Sequence, residues 1–267
     1  MKIGFLLTAR LKSSRLKLKL TLPLNGYTVL ERVIQRAKQV IECDDIVLCT
    51  SCSNQDLPLV RLAQKNGVYY FTGDSDDVLQ RLTNAANLFN FDYVIGMTAD
   101  NPLFSIYHAN VLSDMIRQDP SLDFVYTEGL PVGVNVYAVS TNALRTVCQI
   151  KEQVDTEIWG YLVNRPEIFN VKSVPVDEFY AMPGCERITL DEAEDYDFIR
   201  SVYQAFGEDE VIDILDVKAL LEQQPDLLSL HKNVKQRDLD SDVKEAIDNY
   251  YRNNRDQILK VKATVYG

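Results

Sequence analysis

Ile3-Gly-Phe-Leu-Leu7 leads directly into Thr8-Ala-Arg-Leu-Lys-Ser-Ser-Arg-Leu-Lys-Leu-Lys19. A short apolar run cut off by a polar loop reads as a strand, Lys2 to Leu7, buried on both faces as in parallel sheets. Five of the residues from Arg10 to Lys19 are basic, in a chain whose formal net charge is −11. Arginine offers phosphate a planar fork and lysine a point charge. In open α/β sheets, ligands collect at the carboxyl ends of strands, where this loop begins. The loop is therefore a candidate seat for several phosphates, set against the plainer reading of a solvated basic turn.

Outward from this stretch the chain alternates. Tyr27 to Val40 carries Val29, Leu30, Val33, Ile34, Ala37 and Val40 at helical spacing. Asp45 to Thr50 reads as a second buried strand, Asp56 to Gln64 as a helix, and Val68 to Thr72 as a third strand. Asp74 to Asn87 is expected to be helical, with acidic residues at the end where the dipole favours them. Tyr93 to Met97 is a fourth strand, and His108 to Gln118 a further helix. This alternation predicts an α/β fold with a mostly parallel sheet covered by helices on both faces. After Asp123 the rhythm changes. Phe124-Val-Tyr, Gly133 to Val139 and Phe169 to Val176 read as strands with no helix between them, predicting a mixed or antiparallel edge or arm. Helices are expected at Asp191 to Phe206, Val211 to Gln224 and Leu239 to Leu259.

At 267 residues, with 46% hydrophobic and 25% charged residues, the composition is that of a globular protein. No run approaches the roughly 18 apolar residues of a membrane span. The N-terminus has one Lys and no small-residue cleavage site, so no signal peptide is expected. Cys43, Cys49, Cys52, Cys148 and Cys185 are odd in number and scattered, which suits a reducing cytoplasm. A pI near 4.7 argues against general nucleic-acid binding. One basic loop in an acidic protein points instead to a small anionic ligand.

Neither a G-x-x-x-x-G-K-[ST] nor a G-x-G-x-x-G motif is present, so the loop must work through side chains as well as backbone amides. Asp100 follows the fourth strand and Asp191 opens the long helix. Carboxylates at such positions, facing a phosphate loop, are the hard oxygen ligands that Mg²⁺ takes beside substrate phosphates. The plainer readings are a helix N-cap for Asp191 and a turn residue for Asp100. Cys49-Thr-Ser-Cys52 without a second pair is weak evidence for zinc. His108 and His231, the only histidines, sit on separate elements with no nucleophile elbow, which disfavours nucleophilic hydrolysis.

Ala9-Arg10, Ser13-Ser-Arg-Leu16 and Lys19 resemble the A-R-x-x-S-[ST]-R-L-P-G-K signature of cytidylyltransferases, the enzymes that make CMP-activated 3-deoxy-manno-octulosonate and sialic acid among them. The resemblance is closer to the spore coat polysaccharide biosynthesis F-type branch. Pro23-Leu-Asn-Gly26 and Val29-Leu-Glu-Arg-Val-Ile34 match its continuation. Gly73-Asp74 with Asp77-Val-Leu79 is similar to its G-[SD]-x-x-D-V-L, Asp100-Asn-Pro-Leu103 to G-D-x-P-L, and Leu190-Asp-Glu-Ala-Glu-Asp195 to V-D-T-P-E-D. The matches run to about Gln236. Lys17-Leu18 stands where the signature has Pro-Gly, Ala99 where it has Gly, and Thr156-Glu-Ile-Trp159 where the branch has R-E-H-V-T.

The resemblance implies a Rossmann-like nucleotidyltransferase fold over residues 1–207, with a dimerisation or acceptor arm around 124–176; the helical reading from Glu208 adds a C-terminal helical extension over 208–267, whose final helix lies beyond the matched residues. It implies transfer of CMP from CTP to a small sugar-acid or phosphorylated acceptor, with release of pyrophosphate, for cell-surface polysaccharide or capsule biosynthesis. Alternatives are another nucleotide or a non-catalytic nucleotide-binding relative. Leu7, Ala9, Arg10, Ser14, Arg15, Lys19, Gly73 and Asp77 would bind the nucleotide. Asp100 and Asp191 would hold Mg²⁺, and with Arg10 and Lys19 form the catalytic set. Thr156 and Glu157 would meet the acceptor. A cytoplasmic homodimer without nucleic-acid or membrane partners is the expected setting.

Overall fold

The computed structural model describes residues 1–267 apart from 13–14, 41–42, 44 and 154–157. β1 (Ile3–Thr8) lies near the middle of a seven-stranded sheet, and its residues alternate between two cores. Ile3, Phe5 and Leu7 enter one apolar cluster and Leu6 the other, the period of two that a strand covered on both faces requires. β4 (Asp45–Ser51) and β5 (Tyr69–Gly73) extend the sheet on one side, parallel to β1. β6 (Tyr93–Thr98) pairs with β1 on the other, with Thr8 opposite Thr98 and, across β4, opposite Cys49.

The hairpin after the basic loop departs from the expected start of the first helix. β2 (Pro23–Leu24) and β3 (Tyr27–Thr28) pair antiparallel around Asn25-Gly26, both left-handed (φ 48° and 84°), as an Asn-Gly turn with two positive φ values does. α1 (Val29–Ala37) begins only after it. Thr28 caps that helix in a reciprocal box: Glu31 N–H donates to Thr28 Oγ1 and Thr28 N–H to Glu31 Oε2. α2 (Leu57–Lys65), α3 (Val78–Leu88) and α4 (Ile106–Gln118) complete the alternating half.

β7 (Phe124–Glu128), β8 (Tyr137–Ser140) and β9 (Val171–Pro175) form the mixed edge, giving the order β5-β4-β1-β6-β8-β7-β9. β8 runs antiparallel to both of its neighbours, and β9 parallel to β7. The expectation of no helix between these strands is corrected. α5 (Thr141–Ile150) and α6 (Trp159–Val163) lie between β8 and β9. Ala143, Leu144, Val147 and Ile150 are the buried stripe of α5, and Ser140 caps it by accepting from Ala143 N–H. The strand expected from Gly133 begins only at Tyr137.

α7 (Ala193–Gln204) and α8 (Ile214–Gln223) pack into the core with α1, α2 and α4. The helix expected over Leu239 to Leu259 is two: α9 (Ser241–Asn253) and α10 (Arg255–Tyr266). Their Ile247, Tyr251 and Ile258 join the opposite core, with α3 and α5. No described helix is long and apolar enough to cross a membrane.

Candidate active site

Three stretches that are remote in sequence meet beyond the carboxyl ends of β1 and β6. The strand ends are tied together: Ala9 N–H donates to Cys49 O, and Ala99 N–H to Thr8 O. From this platform the basic loop runs out to Lys19, Asp100 follows β6, and Asp191 precedes α7. Leu190 N–H donates to Asp100 O at 2.9 Å, so the two acidic segments are also joined through the backbone.

The Lys19 ammonium lies between the two carboxylates, donating to Asp100 Oδ2 at 2.6 Å and to Asp191 Oδ1 at 3.0 Å. Burial favours the neutral amine, but the charges and hydrogen bonds of Asp100 and Asp191 outweigh it and hold the Lys19 pKa above its ordinary value. Asp100 shows the converse. Burial would raise its pKa, yet the Lys19 charge and hydrogen bond, joined by Thr98, hold it below the usual carboxylate range. Arg15 reaches the same centre, donating to Asp191 Oδ1 at 3.0 Å and Glu192 Oε1 at 3.2 Å.

Arg10 points elsewhere. It donates to Ser75 O and, at 3.3 Å, to Asp76 Oδ1, binding the basic loop to the turn after β5. Arg81, fully buried, supports that turn from below by donating to Asp74 O. Asp74 Oδ1 accepts the Asp76 and Asp77 N–H groups, closing the turn on itself. Gly73 ends β5 at its start. Asp77 caps α3 by accepting from Gln80 N–H, and pairs with Lys151 at 2.5 Å. Leu7 is fully buried inside β1, so only its backbone is available to a ligand. Ser14, Thr156 and Glu157 lie outside the described residues.

Other residues complete the centre without having been singled out in the sequence. Arg187 donates to Asp191 Oδ2 at 3.2 Å and to Asp195 Oδ2 at 3.0 Å. Asp195, fully buried, also accepts the backbone N–H groups of Asp191 and Glu192 and so fixes the turn that presents Asp191. Burial would raise the Asp195 pKa, but His231, these two N–H groups and Arg187 pull it down. Asp56, buried at the start of α2, accepts from Leu11 N–H at 2.7 Å and from the Ser51 hydroxyl, anchoring the root of the basic loop. Gly133 (φ +91°) passes so close to the acidic segments that a Cβ there would stand 2.4 Å from Ile188 O and 2.8 Å from Asn101 Oδ1. Leu18, in the position of the signature's glycine, is left-handed at φ 55° and ψ 26°.

Residues 5–258 match the profile described as cytidylyltransferase. The chain belongs to that family. Among its relatives, the spore coat polysaccharide biosynthesis protein SpsF of Bacillus subtilis is 28% identical over 233 residues, covering 84% of this chain and 95% of that protein. A cytidylyltransferase from Leptospira borgpetersenii shares the fold with a TM-score of 0.78 at 24% identity, over 89% of this chain and 100% of its own. A CMP:2-keto-3-deoxy-manno-octonic acid synthetase solved with CTP superposes with a TM-score of 0.61 at 17% identity, over 77% and 99%. This cytidylyltransferase is thus a nucleotidyltransferase enzyme. Its Asp100, Asp191, Arg15 and Lys19 converge at the sheet's switch point, where β1 and β6 part company toward opposite edges.

Proposed function

We propose that this enzyme transfers CMP from CTP to a small anionic acceptor, a sugar acid or a phosphorylated compound, for cell-surface polysaccharide biosynthesis. The observation that carries the reading is the Lys19 ammonium held jointly by Asp100 and Asp191, with Arg15 on the same carboxylate. Basic groups able to grip a triphosphate and carboxylates able to grip a cation occupy one centre.

In the proposed reaction an acceptor oxygen attacks the α-phosphorus in line, a new P–O bond forms, and the bond to the β-phosphate breaks to release pyrophosphate. Such a transfer depends on positioning and charge neutralisation more than on covalent help from the protein. Arg15 and Lys19 would neutralise the leaving pyrophosphate, and Arg10 would hold the nucleotide against the Gly73 to Asp77 turn. An acceptor hydroxyl must give up its proton, whereas an anionic phosphate oxygen has none to lose.

The donor set suits Mg²⁺. Asp100 and Asp191 are two hard carboxylates already close enough to share one cationic group, and the oxygens of substrate phosphates complete such sites. When bound there, the ion supplies Lewis-acid polarisation of phosphate oxygens and a template for the reacting groups. Lys19 would then pass from the carboxylates to the phosphates.

Thermal-shift measurements with CTP, UTP, ATP and GTP, each with Mg²⁺ or chelator, test the reading, since a ligand that binds only the folded state raises its apparent stability. A Mg²⁺-dependent rise with CTP alone is expected, followed by pyrophosphate release once an acceptor is supplied. A preference for another nucleotide would overturn the choice of CTP, and no rise with any of them would overturn the nucleotide site.

A further inference from the structure

Between α8 and α9 the chain folds against α7, and with the turn and loop from Gly184 to Arg187 it borders an open cavity of about 670 Å³. Arg187, His231, Lys232 and Lys235 line it, with Glu186 as its one carboxylate. The two inner residues are almost wholly buried, Arg187 at 4% and His231 at 6% exposure. Arg187 spends one nitrogen, Nη2, on Asp191 and Asp195, while its Nε and Nη1 have no hydrogen-bond partner. The His231 ring stacks on Phe198 at 3.9 Å, and its Nδ1 stands 3.7 Å from Asp195 Oδ1, also without a hydrogen bond. Lys232 and Lys235 are exposed and form no ion pair among the described residues.

Buried polar groups are paired in the great majority of cases, and one left unpaired is costly. Arg187, with two nitrogens unpaired, and two lysines without an ion pair among the described residues line one cavity in a chain of net charge −11, which is the chemistry of an anion site. The guanidinium fork matches two oxygens of one carboxylate or phosphate. Arg187 links the cavity directly to Asp191, so an anion held there lies one side chain from the proposed reacting centre.

We propose that this cavity is the subsite for the acceptor's anionic group, a carboxylate or a phosphate monoester. The assignment to the acceptor rests on the nucleotidyl-transfer reading of Asp191; the binding of an anion does not.

The two histidines make the test direct. In protein labelled only at histidine, two sets of ring signals are read by NMR at one fixed, near-neutral pH, without nucleotide or metal. His108 is the internal control, buried in α4 with its Nδ1 against the Ser105 hydroxyl at 2.7 Å. Methyl phosphate and glycolate are titrated separately. A saturable shift of His231 alone is expected, and the anion with the tighter binding tells phosphate from carboxylate. K232Q/K235Q changes exposed residues and should keep the fold, so it should weaken the binding by about tenfold or more. It should leave the CTP-induced thermal shift intact. No shift of His231, equal shifts of both histidines, or the same titration in the double variant would overturn the anion site. Loss of the CTP shift in the double variant alone would overturn the acceptor assignment. A wild type that never responds to CTP would sink the nucleotide reading while the anion titration still gave its own answer.

Discussion

Leu18 holds a left-handed conformation at the position where the cytidylyltransferase signature has glycine, and the consequence is measurable. A left-handed backbone costs an ordinary L-residue about 1–2 kcal/mol, and Leu18 has no compensating burial, being 53% exposed. The bonds that define the turn come from its backbone: Leu18 O accepts from Thr21 N–H at 2.8 Å and from Thr21 Oγ1 at 2.9 Å, and neither depends on the side chain. Leu18→Gly removes the steric cost but frees the unfolded chain by about 0.5–1 kcal/mol. The difference leaves a net gain of about 0.5–1 kcal/mol, or about 2 °C in Tm for a chain of this size. Leu18→Ala is the control, because it trims the side chain and keeps the Cβ. Urea unfolding of the three proteins should rank glycine above leucine, with alanine no better than leucine. Equal midpoints for glycine and leucine, or a gain shared by alanine, would refute the argument from backbone strain.

Other expectations follow from single sites. Glu31 has its pKa lowered to about 2: burial opposes the shift, but Lys65, the Thr28 backbone and hydroxyl, and Asn66 outweigh it. The unfolded state therefore binds this proton more tightly, and the stability Glu31 lends is present above its unfolded pKa and lost as pH falls through the folded one. After allowance for solvent around the exposed Lys65, that contribution is about 2 kcal/mol, lost between about pH 5 and pH 2. Denaturation midpoints against pH should show the loss in wild type and a flatter profile in Glu31→Gln. Gly133→Ala would push a methyl group into Ile188 O at a φ that suits only glycine, so urea unfolding should register a loss of about 2 kcal/mol or more. Asp100→Asn keeps the shape but not the charge, and should cut pyrophosphate release about a hundredfold while the CD spectrum stays native; undiminished turnover would remove Asp100 from the reacting centre.

Strand positions were legible where β1, β4 and β6 are short apolar runs closed by polar residues. Ile3 to Leu7, Ile46 to Cys49 and Tyr93 to Met97 all lie in strands. Helix starts were less legible. Tyr27 and Thr28 fit the helical apolar pattern, yet the Asn25-Gly26 turn captures them for a hairpin and leaves Thr28 as the cap. α5 went unseen because Thr141, Thr146, Val147 and Ile150 carry β-branched side chains, although Ala143, Leu144, Val147 and Ile150 share one face. At the site, Asp191 and Asp195 fall in one motif, Leu190 to Asp195, in which nothing tells their roles apart. Only the folded chain shows Asp195 turned inward to grip the backbone of Asp191 while Asp191 faces Lys19. Arg187 lies between Glu186 and Ile188, and nothing in its local pattern announces that it joins both carboxylates. Asp56 likewise gives no local sign that it roots a loop 45 residues away.

The partnership of Lys19 with Asp100 and Asp191 also bears on how the free enzyme behaves in salt. Each cation of the loop that meets the acidic segments already has a carboxylate, so taking up a triphosphate is an exchange of partners rather than a first neutralisation. Ions in solution screen the bond being given up along with the bond being made, and the two effects oppose each other. On the proposed reading, nucleotide affinity at this centre should accordingly be buffered against ionic strength, in contrast to a basic groove that waits with its charges unmatched.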